Sequence, residues 1–215
     1  GLGRDGDGDR TTLNVQPVIP MSVSEDWNLV SRTILPIVYQ SDVLPRGGSQ
    51  SGFGDVLQSV FLSPKEPGAN GWIWGVGPAL LLPTGSSDFT LDQWAVGPTA
   101  VALKQNAAGW TYGVLVNQLW GVSNSGPLSD VDATFLQPFV TKRIGPGRTA
   151  AVNFEATYDR NSSEWTVPLN ASISQVLPIG GQLFSFSAGA RAYLDAPDGG
   201  PDWGLRFGVT LLFPR

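Results

Sequence analysis

Asn14, Gln16, Arg32, Asn153, Glu155, Asn170, Ser172, Arg191 and Arg206 are polar residues that, Arg32 apart, have apolar immediate neighbours on one or both sides. Their types suit charge and hydrogen-bond recognition rather than bond making. Guanidinium groups stay ionised and match the geometry of carboxylates and phenolates, and a lone carboxylate set among them needs a cationic partner. Two readings follow. In one, Arg32, Glu155, Arg191, Arg206, Asn153 and Asn170 form a polar constriction that orients a small solute. In the other they form a structural network that fills a plugged interior, with Glu155 neutralising an arginine. Catalysis is a poor fit. The chain has neither cysteine nor histidine, which removes thiol nucleophiles, Ser-His-Asp triads and the usual zinc ligands. No serine–lysine pair stands out to replace them, so the protein is expected not to be an enzyme and to need no cofactor or metal.

The elements that hold these residues are strands. From Ala150, the apolar Ala150, Val152, Phe154, Ala156 and Tyr158 alternate with Ala151, Asn153, Glu155, Thr157 and Asp159. The pattern recurs in Trp165–Ser174, with Trp165, Val167, Leu169, Ala171 and Ile173 on one face. It recurs in Phe184–Ala192, and in Trp203–Phe213 with Leu205, Phe207, Val209 and Leu211. Period-two alternation makes each a two-faced strand. Each runs for roughly 9–13 residues, longer than the about 5–6 of ordinary sheets and close to the about 9–11 that cross a bilayer at a tilt. By parity, Phe154, Val167, Leu169, Phe186, Phe207 and Val209 face lipid, while the polar set faces inward.

Seven earlier segments complete the series: about Thr12–Met21, Asn28–Val38, Asp55–Ser63, Gly71–Pro83, Gln93–Lys104, Trp110–Val122 and Ala133–Arg143. A Gly/Ser-rich loop is expected over Gln40–Phe53. In the fourth, Trp72, Trp74, Val76, Leu80 and Leu82 share one face and the small Gly75, Gly77 and Ala79 the other, where something approaches closely. Connections alternate short and long, as turns and loops do on the two sides of an outer-membrane barrel. Trp27, Trp72, Trp94, Trp110, Trp165 and Trp203 begin segments and Trp120 and Tyr158 lie near ends, the positions of an interfacial girdle. Against this, Pro17, Pro36, Pro78, Pro98, Pro138 and Pro168 fall inside strands, where a missing N–H needs a bulge or an unpaired carbonyl opposite.

Composition agrees. Charged residues are 14% of the 215 residues, against about 25% in soluble domains. No apolar run is long enough for a membrane-crossing helix, and a net charge of −5 gives nucleic acid no basic surface. The acidic Asp5–Asp9 run fails the EF-hand pattern, which would need glycine at Arg10 and an acid at Gln16; it reads as a solvated loop. Pro197–Asp202 reads as turn chemistry.

The segments LNVQPVIPMSVSEDWNLVSRTILPIV (Leu13–Val38), SGFGDVLQSVFLSPK (Ser51–Lys65), GWIWGVGPALLLPTG (Gly71–Gly85), GPTAVALKQ (Gly97–Gln105), WTYGVLVNQLWGV (Trp110–Val122) and PDGGPDWGLRFGVTLLFP (Pro197–Pro214) resemble, in order, a bacterial outer-membrane family labelled as transporters or "MetA pathway of phenol degradation"-like. The resemblance implies an outer-membrane β-barrel and supplies no agreed site.

The expectation is therefore an all-β protein, residues 1–215 forming one antiparallel up-and-down transmembrane β-barrel of a Gram-negative outer membrane. Its partners would be membrane lipids and a small, hydrophobic or aromatic solute, or, if the lumen is closed, surface partners of its loops. Eleven strands are visible. Even strand numbers let the first and last strands close antiparallel, so a twelfth is expected before Gly1. Without it, strands one and eleven would flank an unfilled slot.

Overall fold

The computed structural model describes residues 8–43, 48–123 and 130–213. Fifteen ladder segments make up one antiparallel sheet, and they join into eleven consecutive strands. Strand one is Asp9–Val15 continued by Val18–Ser22, strand two Trp27–Ser41, and strand three Ser49–Phe53 continued by Val56–Pro64. Strands four to seven are Trp72–Leu82, Ala95–Gln105, Trp110–Gly121 and Asp132–Gly145. Strand eight is Arg148–Phe154 with Ala156–Asp159, strand nine Glu164–Thr166 with Pro168–Ile179, strand ten Gln182–Tyr193 and strand eleven Trp203–Leu212. Each pairs with the next. Strands one and eleven are not paired with each other among the described residues.

The segments match those expected from alternation, with one correction. The loop expected over Gln40–Phe53 is largely ladder, since Ile37–Ser41 pairs with Ser49–Phe53. The register then slips by one residue: Ile37 faces Phe53 but Ile34 faces Leu57. The slip is a bulge at Gly54, whose N–H donates to Pro36 O at 2.8 Å, and such a bulge is invisible to period-two counting.

The same ladders explain the prolines. In an antiparallel strand the N–H and C=O of one residue point to the same neighbour, so a proline costs one bond on one side only. Pro78 faces Pro98 across strands four and five, each turned away from the other. The missing donors fall on the far sides, where the ladders skip Val60–Phe61 opposite Pro78 and the residues opposite Gly97–Pro98. The freed carbonyls of Val60 and Gln118 tip over the preceding glycines. A Cβ at Gly77 would lie 2.0 Å from Val60 O, and one at Gly97 1.9 Å from Gln118 O. Pro17 interrupts strand one while its carbonyl accepts from Thr33 N–H at 3.1 Å. Pro138 and Pro168 lie on either side of strand eight and break its ladders at Phe154–Ala156.

Register divides the side chains into two sets. The outward set holds Trp72, Trp74, Val76, Tyr112, Leu136, Val140, Val152, Ile173, Phe186, Leu205, Phe207, Val209 and Leu211, all exposed. Phe207 is 79% and Trp203 71% exposed, which no sandwich core permits; the expected outward Phe154, Val167 and Leu169 are half-buried among neighbours. A continuous apolar exterior of this extent needs lipid. Aromatic side chains collect at both strand ends. Trp27 and Trp74 meet edge-on at 6.0 Å and Trp72 and Tyr112 at 6.1 Å, while Tyr158 and Trp165 lie tilted at 4.9 Å. Val209→Arg is expected to cost about 2–4 kcal/mol if the site is near the bilayer midplane, measured by urea-dependent folding into lipid vesicles.

Candidate functional site

Glu155 stands where strand eight is held least, between Pro138 and Pro168. Its N–H still donates to Pro168 O at 3.1 Å, and its side chain points to the inner face of the sheet. Two arginines from the closing strands meet it there. Arg206 Nη1 donates to Glu155 Oε1 at 2.8 Å, and Arg191 Nη2 pairs with Glu155 Oε2. Arg191 Nε donates to Asn170 Oδ1 at 2.7 Å, and Asn170 Nδ2 to Asn153 Oδ1 at 2.8 Å. The chain therefore runs across strands eleven, eight, ten and nine and back to eight. Asn153 and Asn170 are direct cross-strand neighbours, as are Asn170 and Arg191.

Arg32 comes from strand two. Its guanidinium donates to the Gln16 amide oxygen, with Nε at 2.8 Å and Nη2 at 3.1 Å when that oxygen is turned toward it. The Glu155 carboxylate also acts on Arg32 electrostatically, although the two residues lie on strands far apart in sheet order. The sheet must therefore curl until strands two and eight face each other. The six constriction candidates all sit on the inner face, and Glu155, Arg191, Arg206, Asn153 and Asn170 form one hydrogen-bonded network. Asn14 and Ser172 share the face and take no part in it. Tyr193, not singled out from the sequence, adds its hydroxyl 3.3 Å from Arg191 Nη1, with the guanidinium 5.7 Å from the ring centroid. Its parity with Arg191 on the same strand was the signal.

Three guanidiniums face one carboxylate, so the inner face carries uncompensated positive charge here. Such charge is tolerable in water or beside an anion and is costly in a dry interior. Elsewhere one part of the interior is packed with apolar side chains. Ala79, Ala95 and Leu119 are buried together and pack with Leu57, Leu81 and Val131. The connection 83–94 folds over the inner side of strand three. A Cβ at Gly52 would lie 2.5 Å from Ser86 Oγ and 2.8 Å from the Phe89 ring. Asp55 accepts from Gly85 N–H at 3.0 Å and Leu91 N–H at 2.7 Å. The far end is pinned by Gln93, 0% exposed, which donates to Ser123 O at 2.7 Å and Asp130 Oδ1 at 2.9 Å and accepts from Val131 N–H at 2.6 Å.

The chain matches, over residues 10–215, the family described as "Putative MetA-pathway of phenol degradation". It belongs to this family. A solved structure, the COG4313 outer membrane channel from Pseudomonas putida F1, superimposes with a TM-score of 0.68 at 16% identity, covering 94% of this chain and 82% of that one. The likeness is one of fold. Comparison with curated proteins finds no match.

Proposed function

We propose that this family member is an outer-membrane channel through which small aromatic or otherwise hydrophobic solutes, above all those bearing a carboxylate or phenolate, cross by passive diffusion. The observation that carries this is the surplus of guanidinium over carboxylate on the inner face of a wall whose outer face is apolar. The surplus calls for water and offers a binding partner to anions. Arg191, Arg206 and Arg32 would attract the anion, Glu155 would hold two of them in place, and Asn153, Asn170 and Tyr193 would order the guanidiniums. The solved channel of similar fold supports both the transport reading and the membrane assigned. The test is planar-bilayer recording with and without benzoate. Wild type is expected to conduct, to prefer anions and to be blocked by benzoate, and Arg191→Ala and Arg206→Ala to move the reversal potential away from anion preference. Indifference to both substitutions would remove these residues from the passage.

A second reading, a closed barrel that acts through its loops, draws on the connection 83–94 and the apolar cluster beneath it. The same recordings separate the two. Asp55→Ala removes the acceptor of two backbone N–H groups, so it is expected to free this connection and raise unitary conductance. An unchanged trace would mean that the connection does not obstruct the path.

A further inference from the structure

The outer face of the wall carries an open apolar cleft of about 400 Å³, bordered by Trp72, Tyr112, Val114, Val140, Val152 and Phe154. The valines lie between aromatic rings, so the surface dips where the side chains are short. The ladders beside it are interrupted, since Pro138 and Pro168 have no N–H for the carbonyls of Phe154 and Glu155. Register then sets two cations at the border of the cleft nearest the short connections. Lys104 is the direct neighbour of both Trp72 and Tyr112. Lys142 follows Val140 by two residues on the same face, opposite Trp110 and Ala150. Its ammonium donates to Ala108 O at 2.5 Å and lies 4.8 Å from the Trp110 ring centroid. An ammonium has three donors, so it has room for another acceptor. Neither lysine forms an ion pair among the described residues. At the other end of these strands the outward charges cancel, with Arg160 Nη1 3.1 Å from Asp132 Oδ1. Asp132 and Lys142 both belong to strand seven, and at about 3.4 Å per residue and the usual barrel tilt their separation spans about 25 Å, the height of an apolar band. The two charged rows therefore mark the two membrane interfaces.

A hollow that is apolar throughout and ends at two cations at interface depth has the chemistry of a lipid site. We propose that it seats one phospholipid with an anionic headgroup, an acyl chain lying among Val114, Val140 and Val152 and the phosphate on Lys104 and Lys142. Short connections put this end on the periplasmic side, so the lipid comes from the periplasmic leaflet. Both lysines are half-buried, as side chains are when the stem follows an apolar wall and the charged head reaches water. Apolar walls do not tell one lipid from another; the charge selects the headgroup. Each lysine at an anionic membrane surface is worth roughly fivefold in partitioning. A zwitterionic headgroup brings its own cation to the same place and forfeits that gain. The site depends on the wall facing lipid and not on conduction through the lumen.

The test uses the refolded chain in phosphatidylcholine vesicles doped with lipid brominated on its acyl chains, which quenches nearby tryptophan fluorescence. Brominated phosphatidylglycerol is expected to show a saturable part at low mole fraction. Brominated phosphatidylcholine should quench only in proportion to its share of the bilayer. Lys104→Ala and Lys142→Ala should each lower the relative affinity for phosphatidylglycerol about fivefold. Salt at about 1 M, where the screening length is about 3 Å, should weaken it as well. Lys65 stands at the same end without bordering the cleft, so Lys65→Ala should leave the preference as in wild type. Should an alanine variant not fold, Lys104→Gln and Lys142→Gln keep most of the stem and remove only the charge. Equal quenching by the two lipids, or a preference that survives the loss of both lysines, would overturn the proposal. Conductance does not enter the measurement, so failure here is distinct from failure of the channel reading.

Discussion

Glu155→Gln will leave Arg191 and Arg206 without their shared counter-ion, and both the fold and the ion preference will register it. Glutamine keeps the shape and one acceptor oxygen, so the change isolates charge. Removing one partner of a buried pair costs about 3–5 kcal/mol because the remaining charge stays desolvated. Here the Arg206 side chain is 42% exposed and that of Arg191 22%, so water screens part of the loss. The expected destabilisation is about 2 kcal/mol, read from urea-dependent folding into vesicles. The same substitution adds one unit of positive charge to the inner face. The reversal potential should therefore move toward anions, opposite in sign to Arg191→Ala. A matched shift of the same sign in both variants would show that these groups do not set the potential along the path.

Gly97→Ala is expected to be worse for folding than any single change at the charged network. A Cβ there would stand 1.9 Å from Gln118 O, and the next contacts are the same residue's carbonyl carbon at 2.8 Å and the Trp120 ring at 3.3 Å. The obstacle is backbone, so no rotamer change relieves it. The Gln118 carbonyl is in that position because Pro98 opposite gives it no hydrogen bond. Relief requires moving strand six away from strand five, and overpacking of this kind costs about 3 kcal/mol or more. Gly77→Ala meets Val60 O at 2.0 Å for the same reason and should behave alike. Gly204→Ala, with nothing within 4 Å of the added carbon, is the control that should fold as wild type. Heat-modifiable mobility on gels and tryptophan fluorescence in vesicles would rank the three.

The expected network shows how far alternation reaches. Parity alone placed Arg191, Arg206, Asn153, Asn170 and Glu155 on one face, since a side chain's face is set by position along its own strand. Parity could not say which of them touch. Glu155 meets Arg206 from a strand three places away in the sheet, and feels Arg32 from strand two, only because the sheet curls. Curl and stagger depend on every ladder between those strands. Tyr193 belonged to the same face by the same rule, and its contact with Arg191 depends on rotamers that no periodicity encodes.

The sequence by itself determined the eleven strands, their two faces, the aromatic ends and the antiparallel order, because these follow from local alternation and from connections most of which are too short for a parallel crossover. The tertiary structure decided the bulge at Gly54, the folding of 83–94 over the inner side of strand three, and the consequence of each proline. A proline read alone is only a missing donor. Which neighbour loses the bond depends on the side to which that residue's N–H would have pointed, and that is settled by register across the sheet. Register placed Pro78 against Pro98 so that their gaps fall on far sides. It also set Pro138 and Pro168 on either side of strand eight, where two consecutive carbonyls lose their donors at the residue that carries the carboxylate.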